Sequence, residues 1–164
     1  MNVSTVLLVI IGVIATTYAE VVNVARGKTA RMSSTYGCVY GRFRASKGVD
    51  GNTNSSMKNS SCFHTNFNPT NWWYVDLGQT YTTVQRIEVY SRRDCCVDRN
   101  KMIAVKIGTS LSNMRQVKYW ADPLQEYEYV LLEQNEEVRY VKLVHTANTA
   151  FHLCEVKVNA GKYW

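Results

Sequence analysis

An all-β sandwich of jelly-roll type is the fold class that this sequence predicts. Three observations carry it. No stretch holds a long helical period, short apolar–polar runs recur along the chain, and turn-forming segments separate them. The runs, in order, are Trp72 to Leu77, Arg86 to Tyr90, Ala104 to Ile107, Tyr129 to Leu132, Val138 to His145 and Cys154 to Val158. Their lengths and β-branched content suit strands. The last run alternates cleanly, with Cys154, Val156 and Val158 on one face and Glu155 and Lys157 on the other. Asp50-Gly51-Asn52 and Asn66 to Asn71 supply turn chemistry. There is no internal repeat, no low-complexity stretch and no linker long enough to split the domain.

Residues 1–19 read as a secretory signal. Val6 to Ile14 form a short apolar core, and Thr17 and Ala19 are the small residues expected before a cleavage site. The opposing reading, a signal anchor, needs ~20 apolar residues to cross a bilayer, and this stretch is much shorter. Residues 20–164 are then one exported domain, soluble, with no membrane insertion, and large enough for its own core. Aromatic content of 12% and only two prolines argue against disorder. Asn54-Ser55-Ser56 and Asn59-Ser60-Ser61 are glycosylation sequons, in keeping with export. The formal charge of +6 is scattered and accompanied by no nucleic-acid motif, so nucleic acid is not an expected partner. It suits acidic glycans or cell surfaces better.

Arg92-Arg93-Asp94-Cys95-Cys96-Val97-Asp98-Arg99 is the run richest in chemistry. Adjacent Cα atoms stand about 3.8 Å apart, closer than ordinary disulfides prefer, so a bond between Cys95 and Cys96 closes a small ring that its surroundings must hold. The ring is a flat, apolar, polarisable plate. Arg92 and Arg99 bracket it, and Asp94 is placed to aim their guanidinium groups. Forks of donors beside an apolar plate suit the hydroxyl edge and the carbon face of a sugar. A redox switch and a pair of free thiols are the other readings of the two cysteines; export disfavours both. With Cys95–Cys96 as one pair, Cys62 and Cys154 are the best remaining partners, a link that contributes up to roughly 4–5 kcal/mol in the chain-entropy model. Cys38 is left over, either buried as a small apolar side chain or bridging to another molecule.

On these residues the chain resembles the F-type lectins, or fucolectins, of the galactose-binding-like, discoidin-like superfamily. The resemblance runs from Asn23 to Lys28, through Ala45 to Asn52 and Asn71 to Leu77, to the Arg92–Arg99 run and Leu153 to Val156. It covers essentially the whole mature chain. The tryptophan-rich strand is shared with coagulation-factor-type discoidin domains. The His, Arg-x-Asp, adjacent-cysteine and following basic residue are more specific.

The resemblance implies a jelly-roll fold and a site for L-fucose. It implies that His64, Arg92 and Arg99 bond the sugar's hydroxyl and ring oxygens, with Asp94 orienting the arginines and Cys95–Cys96 as the stacking plate. The chemistry agrees: neutral imidazole both donates and accepts, whereas guanidinium only donates. Arg93, the strand neighbour of Arg92, should face away. The sugar's methyl group calls for an apolar pocket, for which Tyr36, Tyr40, Phe43 and Met57 are candidates. Arg42 and Arg44 extend the basic character towards a larger or acidic glycan.

The resemblance also implies a structural Ca²⁺ site at Asp50-Gly51-Asn52, joined by Ser61, by Cys154 and Glu155, and by Lys47 through its carbonyl only. Hard oxygen donors suit that ion; the competing reading is an ordinary Asp-Gly turn. The histidines show no zinc spacing. The expected function is recognition of fucosylated glycans without turnover, in innate immune or cell-surface recognition, with clustering of sites in a homo-oligomer. A secreted glycosidase needs two carboxylates flanking the scissile bond, and Asp94 and Asp98 are both committed to charge balance. A discoidin-like module binding protein or lipid is the alternative; it has no need of Arg92, Arg99 and the adjacent cysteines.

Overall fold

A computed structural model describes residues 20–37, 41–134 and 136–162. The expected signal, Cys38 and Tyr40 lie outside them. The described residues hold nine strands: β1 (Glu20–Asn23), β2 (Thr29–Met32), β3 (Asn71–Tyr81), β4 (Val84–Ser91), β5 (Ile103–Ser110), β6 (Asn113–Trp120), β7 (Tyr127–Leu131), β8 (Val138–His145) and β9 (Leu153–Lys162). Short 3₁₀ turns occur at Ala45–Gly48, Met57–Asn59 and Val97–Arg99, and no α-helix occurs among the described residues. No helix there is long and apolar enough to cross a membrane.

The strands form two antiparallel sheets, one in the order β1-β9-β4-β7 and the other β2-β3-β8-β5-β6. Each of the six runs singled out in the sequence falls on a strand, with Leu132 just beyond the end of β7. The strands β1, β2 and β6 were not legible. The first two are four residues long, and β6 is an edge strand whose polar side chains hide any apolar period.

The sheets enclose a single large core. Trp73 and Leu77 of β3, Ile87 and Val89 of β4, Leu143 of β8 and Val156 and Val158 of β9 are all fully buried in it. Trp73 stacks on Phe63 with centroids 5.7 Å apart, and Phe151 meets Phe63 edge-on at 5.3 Å. The indole Nε1–H of Trp73 donates to the Ala45 carbonyl at 2.8 Å, which satisfies its buried polar atom. Gly48 lies against this ring: a Cβ there would sit 2.9 Å from Trp73 Cζ2.

One expectation for β9 is corrected. Cys154 does not share a core face with Val156 and Val158, because pairing with β4 slips between Tyr90 and Ser91. The slip turns Leu153 into the main core, while Cys154 joins a second cluster with Met57, Cys62 and Phe43.

Between β2 and β3, from Ser33 to Thr70, the described residues form no strand. This connection is tied down by the ends of β4, β8 and β9. Phe63 N–H donates to the Leu153 carbonyl and Thr65 N–H to that of Phe151, both at 2.9 Å. The buried Asn71 side chain closes the loop's far end, donating to the Asn66 and Thr149 carbonyls at 3.1 and 2.9 Å and accepting from Ser33 Oγ at 2.7 Å. A long connection so anchored is typical of a binding loop.

Candidate carbohydrate site

Three segments meet at one end of the sandwich: the β2–β3 connection, the β4–β5 loop and the β8–β9 loop. The β4–β5 loop carries Arg92 to Arg99. Arg92 forms a two-pronged pair with Asp94, Nε to Oδ1 at 2.7 Å and Nη2 to Oδ2 at 3.3 Å. Asp94 Oδ1 also accepts the backbone N–H of Met57 at 3.2 Å, and Arg93 N–H donates to the Ser55 carbonyl at 2.8 Å. These bonds lock the loop against the β2–β3 connection. The Arg92 guanidinium chiefly holds the Asp94 carboxyl below its usual range. Arg93 turns aside to the Leu124 carbonyl at 3.3 Å, although strand alternation is not the cause, since both arginines lie past the end of β4.

Cys95 and Cys96 are joined by a disulfide, and a second bond joins Cys62 to Cys154. Cys96 adopts a left-handed backbone, φ 59°. It leads into the 3₁₀ turn Val97–Arg99, with Arg99 N–H returning to the Cys96 carbonyl at 3.1 Å. Arg99 lies 5.0 Å over the ring of Phe67, which is 57% exposed. Phe67 was missed in the sequence; its only signal was an apolar residue inside a polar turn segment.

His64 arrives from the β2–β3 connection, two residues after Cys62. Its backbone N–H bonds the Phe43 carbonyl, and its own carbonyl accepts from Tyr36 N–H. Its Nδ1 lies 2.7 Å from the Thr65 carbonyl, which can only accept, so Nδ1 carries the proton and Nε2 is left with a lone pair. Nε2 has no protein partner among the described residues. Burial foremost lowers the His64 pKa, and the charges of Arg92 and Arg99 lower it further, so the ring is neutral at pH 7. Tyr36, 45% exposed, sits 4.7 Å from the His64 ring and Phe43 6.0 Å. Met57 is buried beside Cys62 and Cys154.

A second layer, invisible in the sequence, supports these groups. His145 Nε2–H donates to the Arg99 carbonyl at 2.7 Å while its ring stacks on Phe151 at 4.9 Å. Asn100 donates to Ser91 Oγ at 2.8 Å and to His152 Nδ1 at 3.3 Å, and His152 stacks under His64 at 5.2 Å. Burial, more than the nearby cations, pushes His152 down to about 3.

The residues expected to form a calcium loop gather next to the Cys62–Cys154 bond. Glu155 is fully buried, and both its oxygens lie 3.2 Å from Gly51 N–H. It has no ion-pair partner among the described residues. Burial first, and the neighbouring Asp50 charge as well, push its carboxyl up to about 7 against the opposing Gly51 bond. Asp50 pairs with Lys47 Nζ at 3.2 Å through Oδ2 and accepts Asn52 N–H at 2.9 Å through Oδ1. Ser61 is buried next to the bridge and donates to the Ser56 carbonyl at 2.8 Å. No group of three His, Cys, Asp or Glu converges among the described residues, so carbonyl and amide oxygens would have to complete any hard-cation site.

Comparison with known proteins agrees with this fold. The family profile described as NedA-like, galactose-binding domain matches residues 47–143. A fucolectin of Anguilla anguilla is 31% identical over 85% of this chain and 92% of its own length. The chain belongs to the fucolectin, or F-type lectin, family. The lectin domain of lectinolysin, solved with Lewis b antigen, superposes with a TM-score of 0.71 at 33% identity, over 83% of this chain and 94% of that one. The serum fucolectin of striped bass, Morone saxatilis, gives a TM-score of 0.76 at 30% identity over 86% of this chain and 49% of that one. These relatives are carbohydrate-binding lectin modules rather than enzymes.

Proposed function

We propose that this F-type lectin binds terminal L-fucose on secreted or cell-surface glycoconjugates, and that it is itself exported. The observation that carries the reading is the opposition of a neutral, accepting His64 Nε2 to two arginines that can only donate. A sugar hydroxyl donates to His64, and neighbouring hydroxyl or ring oxygens accept from Arg92 and Arg99. Asp94 occupies two of the five N–H donors of Arg92 and leaves three for the ligand. The Cys95–Cys96 plate supports one carbon face. Tyr36, Phe43, Met57 and Phe67 are the apolar side chains available to the C6 methyl group. A single shallow site binds weakly, so useful avidity calls for clustered sites, as in a homo-oligomer. Recognition of foreign or host-surface glycans in innate immunity is the role proposed for such avidity.

A structural calcium ion belongs to the same proposal. A buried carboxylate without a cationic partner, beside a second carboxylate and an amide turn, fits a hard cation. Asp50, Asn52, Ser61 and Glu155 would hold it with the carbonyls of Lys47 and Cys154; the ion supplies charge neutralisation and cross-links the loops.

Calorimetric titration of L-fucose into the oxidised chain, with D-galactose as control, tests the sugar reading. Fucose should give saturable heat and galactose much less. Replacing Arg99 by Ala should weaken fucose at least about tenfold, from loss of charge-assisted hydrogen bonds. Absence of fucose heat from a folded, calcium-loaded sample would sink the proposal. Binding to a protein or lipid target that survives Arg92→Ala and Arg99→Ala would favour the discoidin-like alternative.

A further inference from the structure

Beside the plate lies a cavity of about 310 Å³ whose two outer cations, Arg42 and Lys58, the fucose reading leaves unused. Arg92, Asp94 and Cys95 form its near wall, and Arg42, Phe43, Met57 and Lys58 its far side. Three cations therefore face one carboxylate, and that carboxylate is spent: both Asp94 oxygens are held by Arg92, and Oδ1 takes the Met57 N–H as well. Neither Arg42 nor Lys58 makes an ion pair among the described residues. Like charges crowded around one opening repel, and neutral hydroxyls alone do not require them.

The cations are also positioned. Arg42 donates from Nε to Ser60 Oγ and from Nη2 to the Lys58 carbonyl, both at 3.1 Å, and its guanidinium lies 5.6 Å over the Phe43 ring. Two of its five donors are occupied, which fixes the plane of the fork and leaves three. The 3₁₀ turn Met57–Asn59, closed by Ser60 at φ 53°, sets both Lys58 and the Ser60 hydroxyl. The Met57–Asp94 and Arg93–Ser55 bonds tie that turn to the Arg92 loop. The cationic wall is thus held at a fixed place relative to the plate. A rigid guanidinium fork with an ammonium beside it matches a tetrahedral or planar oxyanion.

We propose that this cavity is an anion subsite, selecting fucosylated glycans whose neighbouring sugar carries a sulfate ester or a carboxylate. The inference rests on the fucose reading and extends it to the adjoining residue of the glycan. Its test compares L-fucose with a neutral fucosylated oligosaccharide and with the sulfated and sialylated forms of that oligosaccharide, at low and high salt. At least one acidic form should bind about tenfold more tightly than the neutral one at low ionic strength, as two partly exposed charge pairs allow, and the gain should shrink in 0.5 M NaCl on the order of the shortened Debye length. Which acidic form gains tells sulfate from carboxylate. Lys58→Glu, a change at a side chain with no hydrogen bond among the described residues, should turn the gain into a penalty while L-fucose affinity and melting temperature stay unchanged. Arg42→Gln should reduce the gain without affecting L-fucose. Equal affinities for acidic and neutral forms, with L-fucose intact, overturn the subsite; failure of L-fucose itself overturns the reading beneath it.

Discussion

Asp94 controls the site without needing to touch a sugar. Its carboxylate fixes the Arg92 fork and catches the Met57 backbone, so one side chain couples two loops. Asp94→Asn keeps the shape but makes one of its two oxygens a donor facing a donor. L-fucose affinity should fall roughly tenfold, since a charge-assisted pair is replaced by a mismatched one. A small change in melting temperature with a large loss of heat on titration would place the effect in orientation. The native site should also tolerate acid. His64 and Asp94 both have lowered pKa values, so each keeps its working charge below its ordinary pKa. Fucose affinity should fall with a midpoint below pH 6.5, as protonation turns the accepting Nε2 into a donor. A midpoint at or above pH 6.5 in the titration series contradicts the lowered His64 pKa.

At the scale of elements, the loop from Ser33 to Thr70 is placed by a few buried joints. Gly48 against Trp73 is one. The Gly48 φ is not positive, so space rather than backbone freedom requires the glycine. Gly48→Ala should destabilise by about 1–3 kcal/mol through overpacking, seen as a lower urea midpoint, because the Trp73 ring is wedged by Phe63 and its Ala45 bond. An unchanged midpoint would mean that the turn shifts freely, contrary to the packing described. Asn71 is the other joint; its bonds to Asn66, Thr149 and Ser33 bring the segment bearing His64 and Phe67 to the β8–β9 loop.

For the whole molecule, three buried histidines share one consequence. His64, His145 and His152 all have folded-state pKa values below 6.5, with burial the foremost cause, and His152 sits at about 3. Below pH 6.5 the unfolded chain takes up protons that the native chain refuses. Stability should therefore be full above that pH and be lost as pH falls towards the native values, by up to about 1.4 kcal/mol per pH unit for each such group. Melting temperature measured from pH 7 to 4 checks the slope. Glu155 runs the other way: its raised pKa makes the native carboxyl bind protons between its ordinary 4.5 and about 7, so its contribution falls as pH rises through that window. Calcium should offset this. Adding it near pH 7 should raise the melting temperature and release protons, and Glu155→Gln should reduce both effects, whereas identical melting in calcium and chelator counts against the ion.

The sandwich and the chemical run Arg92–Arg99 were legible because both are local: alternation of apolar residues and adjacency of side chains are properties of neighbouring positions. The same locality made Arg92, Asp94 and the two cysteines readable as one unit, and the family resemblance added His64. What the chain could not disclose is who meets whom across loops. His145 behind Arg99, His152 beneath His64, Phe67 under the Arg99 fork and Arg42 with Lys58 beside the plate are all contacts between distant segments. The slip in β9 that sends Cys154 away from Val156 belongs with them. Each depends on strand register and on how the connection from Ser33 to Thr70 closes over the sandwich end, and those are set by packing of the whole core rather than by any local pattern.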